Sequence, residues 1–281
     1  MSKWKVRRTE KGELEGGMPY QMVNFGYLRD LTPPEDSVKI WRFMDLPKFL
    51  SVLQSKTLYF ARADQFDDPF EGARGNTGDE EQYVCALAEA LREEMGTAGK
   101  SAGESLSDAR TIIDTWKKIG FDTNHMYQNY ISCWHQNETE SDAMWRLYTK
   151  DLAQGIAIQS TYGRLRDAFV REYLRGPITI APVEYIDYSL PLGLSDNPSW
   201  FKKKAFEHEK EIRAVIIFDY PNEEKAPKGW QLPIDPAVLI ENLYVSPTAQ
   251  SWFVDLVKDV VGKYGYEFNV VQSRLLDKGF R

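Results

Sequence analysis

The sequence has only two cysteines, Cys85 and Cys133, and they lie in no paired motif. Two isolated cysteines are too few for a disulfide framework or a four-cysteine zinc site, so we expect reduced thiols. No apolar run approaches the roughly 18 residues that a membrane helix needs, and the opening segment MSKWKVRRTEKGELEGG has no hydrophobic export region. These absences predict a soluble protein of the cytoplasm that does not associate with a membrane.

Two further absences narrow the class of ligand. The sequence contains neither a Gly-x-Gly-x-x-Gly motif nor a Walker loop, which disfavours the common dinucleotide and nucleoside triphosphate folds. It also lacks a positive charge excess, because the formal net charge is −7. Nucleic-acid binding is therefore possible only through a local basic patch. The densest candidate is the run Lys202, Lys203 and Lys204, but a lysine run beside a helix is typical of a solvated face.

The residues that are present predict one core of mixed structure. The chain has 281 residues, of which 42% are hydrophobic and 27% charged, and this length is at the upper end of what one core supports. Adjacent strand patterns with unevenly spread helices favour an α+β fold with a mixed, largely antiparallel sheet. We predict an N-terminal arm over residues 1–37 and a single domain over 38–281, with a helical insertion over 79–120.

Arg42, in the strand pattern IWRFM, is a first candidate for a functional residue. Side chains alternate along a strand, so Ile40, Arg42 and Met44 share one face while Trp41 and Phe43 share the other. An arginine in this position can clamp a phosphate or a carboxylate through two parallel hydrogen bonds. The alternative is a surface arginine on an edge strand.

The segment FDDPFE, residues 66–71, is a second candidate. Pro69 restricts Asp68 to extended geometry, and two aspartates before a proline are typical of a turn whose side chains bond backbone N–H groups. Three carboxylates in this segment can also bind a hard cation, but it lacks the glycine of a calcium loop. We interpret the segment as a structural turn.

The segment YISCWHQNETESDAMWRLY is a third candidate. Strand alternation places Cys133 and His135 on one face, which is compatible with a nucleophile and its base but is more often simple packing. Ser132, Trp145 and Tyr148 suit a stacking and hydrogen-bonding wall for a flat heterocycle. The alternative is that Trp145 and Tyr148, three positions apart, belong to the core.

The segment FEHEKEIRAVIIF carries the sharpest signal. Extending its strand back to Glu209 places Glu209, Glu211 and Arg213 on one face. Two neighbouring carboxylates disfavour joint ionisation, and the arginine offsets that penalty. The pair therefore predicts a base or a charge-stabilising site, with a solvent-facing ladder of ion pairs as the alternative.

Together these segments resemble a bacterial family known as domain of unknown function 2971. The matching pieces are IWRF, LYFARADQFDDPFE, SCWHQNETESDAMWRLYTKDLAQGIAI and KKAFEHEKEIRAVI, which span about residues 38 to 218 in the family's order. The family name implies no activity.

The layout of these strands also resembles the ADP-ribosyltransferase fold. That resemblance implies that Arg42 supports NAD, that Ser132 shapes the nicotinamide pocket, and that Glu211 stabilises the positively charged transition state with Glu209 as the accessory glutamate. The strand around Ser132 reads Ser-Cys-Trp and lacks the usual second hydroxyl residue. Among the roles that the resemblance implies, this difference puts the role of Ser132 in question first.

The same resemblance implies a substrate and a set of partners. NAD would be the substrate, no metal is expected, and Tyr59, Trp145 or Tyr148 would hold the nicotinamide ring by stacking. The acceptor would be an unknown protein or nucleic acid, as in a toxin or a phage-defence effector, or water in a hydrolase.

Two other classes of function stay open at this point. One is a non-catalytic binding or regulatory module in which both acidic segments are structural. The other is a metal-dependent nuclease whose carboxylates would be Asp67, Asp68, Glu71, Glu209 and Glu211.

Overall fold

The computed structural model of the chain describes residues 7–8, 14–15, 33–68, 70–72, 81, 84–85, 87–89, 92, 102–119, 126–174, 177–187, 197–218, 220 and 223–277. The strands are β1 Arg7–Arg8, β2 Leu14–Glu15, β3 Lys39–Asp45, β4 Thr57–Arg62, β5 Asn129–Gln136, β6 Gly155–Thr161, β7 Thr179–Pro182, β8 Glu184–Ile186, β9 Phe201–Lys203, β10 Glu211–Ile217, β11 Gly229–Pro233, β12 Asn242–Val245 and β13 Asn269–Gln272.

The α-helices are α1 Leu46–Ser55, α2 Ala102–Ile119, α3 Asp142–Tyr148, α4 Tyr162–Ala168, α5 Pro236–Leu239 and α6 Ser251–Lys263. Short 3₁₀ helices cover Ala63–Gln65, Leu152–Gln154, Arg171–Tyr173, Pro198–Trp200, Lys204–Glu209 and Glu223–Lys225. None of the described helices has the length and apolar character needed to cross a membrane.

Nine of these strands form the main sheet, in the order β11-β4-β5-β3-β6-β12-β13, with β10 pairing β5 and β7 pairing β10. Every pair in this sheet is antiparallel except β12 with β13. The predicted α+β class with a largely antiparallel sheet is therefore confirmed.

The central strand β5 has three partners, and this splits the sheet. One edge of β5 pairs with β10 along its whole length. The other edge pairs with β4 at Tyr130 and Ile131, and with β3 at His135 and Gln136. No described strand pairs with that edge of β5 over residues 132–134, so β3 and β4 diverge there and leave an opening, which we call the split.

The helix that follows β3 is held by its apolar face. Pro47 lies in its first turn, where the missing N–H has no helical partner to lose. Phe49, Val52 and Leu53 are buried against the core, and the helix ends at Lys56 in the left-handed conformation, φ 51°. This packing anchors α1, which connects β3 to β4, the two strands that border the split.

The predicted arm and helical insertion are described only in part. Within the arm, Arg7–Arg8 pairs with Leu14–Glu15, and most of residues 1–37 lie outside the described residues. Within the insertion, helix α2 is present, and its Ala109 and Ile113 pack with Val84 and Leu87. The division into arm, domain and insertion stays a prediction.

Candidate active site at the split in the sheet

A cavity of about 500 Å³ opens at the split. Its wall takes side chains from β3, β4 and β5, from the helices α1 and α3, and from the start of β10. Pockets for small ligands commonly measure about 300–1,000 Å³, so this cavity has the size of a ligand site. The residues used below are Arg42, Tyr59, Trp134, Tyr148, Glu209 and Glu211, all of which line it.

Arg42 lies in the gap between β3 and β4. Its Nη1 donates to Ser132 Oγ at 2.7 Å, and its Nη2 donates to the Tyr59 carbonyl oxygen at 3.4 Å. The guanidinium also lies over the Trp134 ring, 5.6 Å from the centroid. The structure thus brings Arg42, Ser132 and Tyr59 together, and the guanidinium joins two strands that do not pair directly.

The three aromatic candidates differ in position. Tyr59 and Tyr148 line the cavity and are 47% and 44% exposed, so both rings are accessible to a ligand. Trp145 is fully buried behind Phe43, with the two ring centroids 5.0 Å apart, and does not line the cavity. Trp145 is therefore a core residue, as in the alternative interpretation, while Trp134 supplies an indole ring to the wall instead.

Glu209 and Glu211 are brought together by a buried lysine. Lys202 Nζ donates to Glu209 Oε2 at 2.7 Å and to Glu211 Oε2 at 3.2 Å. The Tyr148 hydroxyl donates to the same Glu209 oxygen at 3.0 Å. The two carboxylates therefore lie side by side on the cavity wall with one cation between them.

The predicted strand position of Glu209 is wrong. The strand begins at Glu211, and Glu209 is the last residue of the preceding 3₁₀ helix. Lys210 between them adopts a left-handed conformation, φ 40°, which turns the chain out of extended geometry. The two glutamates still converge because Lys202 bonds both of them.

Arg213 supports Glu211 through a buried network of ion pairs. Its Nη1 and Nη2 donate to the two oxygens of Glu71 at 2.5 and 2.8 Å, and Nη2 also donates to Glu211 Oε2 at 3.0 Å. Arg213 has no exposed surface, and both of these glutamates are buried. The interpretation of Glu211 and Arg213 as a solvent-facing ladder is therefore wrong.

The acidic segment of residues 66–71 has both a turn and an ion pair. Asp68 Oδ1 accepts a hydrogen bond from the Phe70 backbone N–H, as predicted for a structural turn. Glu71, at the end of the segment, is the partner of Arg213. Because Arg213 donates to both oxygens of Glu71, this glutamate does not present the free carboxylate that a divalent metal requires. The described residues contain no cluster of three His, Cys, Asp or Glu side chains suited to a metal ion.

The charge state of Glu211 follows from its surroundings. Burial opposes ionisation, but the nearby Arg213 and Lys202 outweigh it and lower the pKa of Glu211 to about 2. Glu211 is therefore an anion at neutral pH. Its carboxylate is available to stabilise positive charge that develops in the cavity.

His135 lies opposite Glu211 and Cys133 opposite Arg213 in the pairing of β5 with β10, but their environments do not suit a nucleophile and its base. Burial, with the charge of Glu211, raises the pKa of the Cys133 thiol well above its usual value. Burial lowers the pKa of His135, so its ring is neutral near pH 7. His135 Nδ1 donates to the Glu209 carbonyl oxygen at 2.5 Å, which fixes the turn that carries both glutamates.

Comparison with known proteins assigns the chain to no family. No protein-family model matches it, and no curated protein does, so the comparisons do not support the predicted resemblance to domain of unknown function 2971. Among solved structures, it is similar to DarT from Thermus sp. 2.9 in complex with NAD⁺. The identity is 8% and the TM-score 0.32, over 86% of this chain and 98% of DarT. At this score the likeness does not establish a shared fold.

The ionised state of Glu211 predicts an acid-sensitive fold. Its pKa of about 2 lies below the ordinary 4.5, so its contribution to stability is present above about pH 4.5 and is lost as the pH falls toward 2. This shift corresponds to about 3 kcal/mol of unfolding free energy. Glu211→Gln should remove this part of the pH dependence, as measured by urea unfolding at a series of pH values. If the unfolding free energy of Glu211→Gln falls with pH as steeply as that of the wild type, this part of the pH dependence does not come from Glu211.

Proposed function

We propose that this chain cleaves the nicotinamide–ribose bond of NAD and transfers ADP-ribose to an acceptor. The observation that carries the proposal is that Arg42 and Tyr59 line one cavity of ligand size together with Glu211, which is far from both in the sequence. A cationic group, an exposed aromatic ring and a buried anion in one cavity match the phosphates, the nicotinamide and the reacting ribose of NAD.

Each group has a distinct task in this reaction. As the glycosidic bond breaks, positive charge develops on the ribose, and the Glu211 carboxylate stabilises that charge more than it stabilises bound NAD. Arg42 is oriented by Ser132 and binds the negatively charged pyrophosphate. Tyr59 stacks on the nicotinamide ring. The nicotinamide departs with the bonding electron pair and becomes neutral, while the acceptor bonds to the ribose carbon and loses a proton.

The direct test is incubation of the purified protein with NAD, with free nicotinamide followed by chromatography. Labelled NAD added together with cell lysate then separates the possible acceptors. Label on a protein or a nucleic acid indicates a transferase, and free ADP-ribose alone indicates hydrolysis by water. Absence of nicotinamide release, with and without lysate, would reject the proposal in favour of a non-catalytic binding module.

A role as a toxin or phage-defence effector belongs to the same proposal. An enzyme that modifies an essential macromolecule should slow the growth of cells that express it, and a variant without the chemistry should not. Growth on induction, compared between wild type and Glu211→Gln at equal protein level, measures this. Equal growth of the two strains would argue against a toxic activity.

Replacement of Arg42 tests the phosphate contact. Arg42→Met should weaken NAD binding about 10- to 100-fold, the equivalent of a lost hydrogen bond to a charged group. Because this contact is made equally in bound NAD and in the transition state, KM should rise while kcat changes little. Arg146→Met is the matched control, since Arg146 lies exposed on helix α3 and pairs with Asp142. Equal KM values for Arg42→Met and Arg146→Met would show that Arg42 does not bind NAD.

A further inference from the structure

Lys202 differs from its two neighbours in the lysine run. Its side chain is only 8% exposed, and Nζ lies between the carboxylates of Glu209 and Glu211. Lys203 places its Nζ over the Phe70 ring, 3.4 Å from the centroid, and Lys204 is exposed. One lysine of the three is therefore directed to the cavity wall.

The position of Lys202 follows from strand pairing in a separate two-stranded sheet beside the main one. Strand β9, which carries it, pairs in parallel with β8 over Glu184–Ile186. Tyr185 of β8 bonds the backbone N–H of Glu211 through its hydroxyl at 2.7 Å. This small two-stranded sheet is thus attached to the start of β10, and it delivers the ammonium group to both glutamates.

The negative charges of Glu209 and Glu211 are balanced in part by Lys202. Arg213 is bonded bidentately to Glu71 and gives Glu211 only one hydrogen bond. Without Lys202, Glu209 and Glu211 would be two buried anions side by side, and mutual repulsion would favour protonation of one. Burial opposes the charge on Lys202 itself, but Glu211 and Glu209 outweigh burial and raise its pKa.

We propose that Lys202 is a positioning residue, which holds the carboxylate of Glu211 ionised and oriented at the cavity wall with Glu209 beside it. This inference rests on the proposed function, since the reaction requires an anionic Glu211. Lys202 itself acts through the two carboxylates.

Replacement of Lys202 should lower the rate without removing NAD binding. Lys202→Met should reduce kcat for nicotinamide release about 10- to 100-fold, the rate equivalent of a lost hydrogen bond between charged groups. KM should change little, and Lys202→Arg should restore most of the rate by restoring the charge. Lys203→Met is the matched control and should leave the rate unchanged, because Lys203 contacts Phe70 and neither glutamate.

The pH profile separates positioning from a general loss of stability. The pKa of Glu211 is lowered to about 2 partly by Lys202, so Lys202→Met should raise it and move the acid limb of kcat to higher pH. Glu71, whose pKa is raised by burial, and His135, whose pKa is lowered by burial, titrate in both proteins, so the readout is the difference between the two pH profiles. Tyr148, Tyr185 and Cys133 have raised pKa values and stay protonated across this range.

A double variant tests in a second way whether Lys202 offsets the repulsion between Glu209 and Glu211. Lys202→Met with Glu209→Gln removes both the cation and one of the two anions, so the repulsion is gone and the acid limb should return toward its wild-type position. A carbon-13 titration of the Glu211 carboxyl group measures the same shift without catalysis.

The outcomes are distinguishable. Absence of nicotinamide release from the wild-type protein overturns the proposed function and, with it, this role of Lys202. Release by wild type, together with an unchanged rate and acid limb in folded Lys202→Met, overturns the role of Lys202 alone.

Discussion

Glu211→Gln is expected to lower nicotinamide release from NAD about 100- to 1,000-fold, the range found when one preorganised electrostatic group is removed from an active site. Glutamine keeps the shape and some hydrogen bonds of glutamate but has no negative charge. The effect should therefore fall on kcat, while the affinity for NAD stays close to wild type because Arg42 and Tyr59 are unchanged. Single-turnover chromatography measures the rate, and titration calorimetry measures the affinity.

Glu207→Gln is the matched control for this variant. Glu207 lies exposed in the 3₁₀ helix Lys204–Glu209 and does not line the cavity. Its replacement should leave both rate and affinity unchanged. If Glu211→Gln releases nicotinamide as fast as Glu207→Gln, the carboxylate of Glu211 has no part in the reaction and the site must be placed elsewhere.

The alternation of side chains along strands was the strongest guide to the site. It places Arg42 opposite Phe43 and groups Glu211 with Arg213, and both relations are found in the structure. Alternation depends only on local backbone geometry, which the sequence pattern reports directly. It does not report where a strand begins, so the left-handed turn at Lys210 between Glu209 and Glu211 was missed.

Burial of charged residues was the least predictable part of the site. The local sequence around three consecutive lysines predicts that all three are exposed to solvent. Only the pairing of β8 with β9 turns Lys202 inward. In the same way, Glu71 and Arg213 lie 142 positions apart, and nothing near either residue indicates the other. Such pairs follow from tertiary contacts rather than from local pattern. A charged residue within an apolar strand, such as Arg213 in EIRAVII, was the available signal.

The aromatic residues show a related limit. Trp145 and Tyr148 lie on one short helix three positions apart, yet one is in the core and the other on the cavity wall. Helical spacing predicts that two side chains are neighbours, but it does not fix which of them borders a cavity. Packing against Phe43 decides the position of Trp145.

Arg213→Met is expected to destabilise the fold by about 3–5 kcal/mol, the usual penalty for breaking a buried ion pair by removing one partner. Methionine fills a similar volume, so the loss comes from charge rather than from a cavity. Glu71 would be left buried with no guanidinium to accept from, and Glu211 would keep only Lys202 as a bonded cation. Urea unfolding at neutral pH measures the change.

A double-mutant cycle with Glu71→Gln tests the electrostatic origin of this loss. If the unpaired charge of Glu71 causes it, Arg213→Met with Glu71→Gln should be more stable than the sum of the single changes predicts. The control is Arg166→Met, because Arg166 pairs with Asp36 and Asp167 at the surface and should contribute no more than about 1 kcal/mol. If Arg213→Met is no more destabilised than Arg166→Met, the buried network does not hold the start of β10. The orientation of Glu211 at the cavity would then depend on Lys202 and the Tyr185 hydroxyl rather than on Arg213.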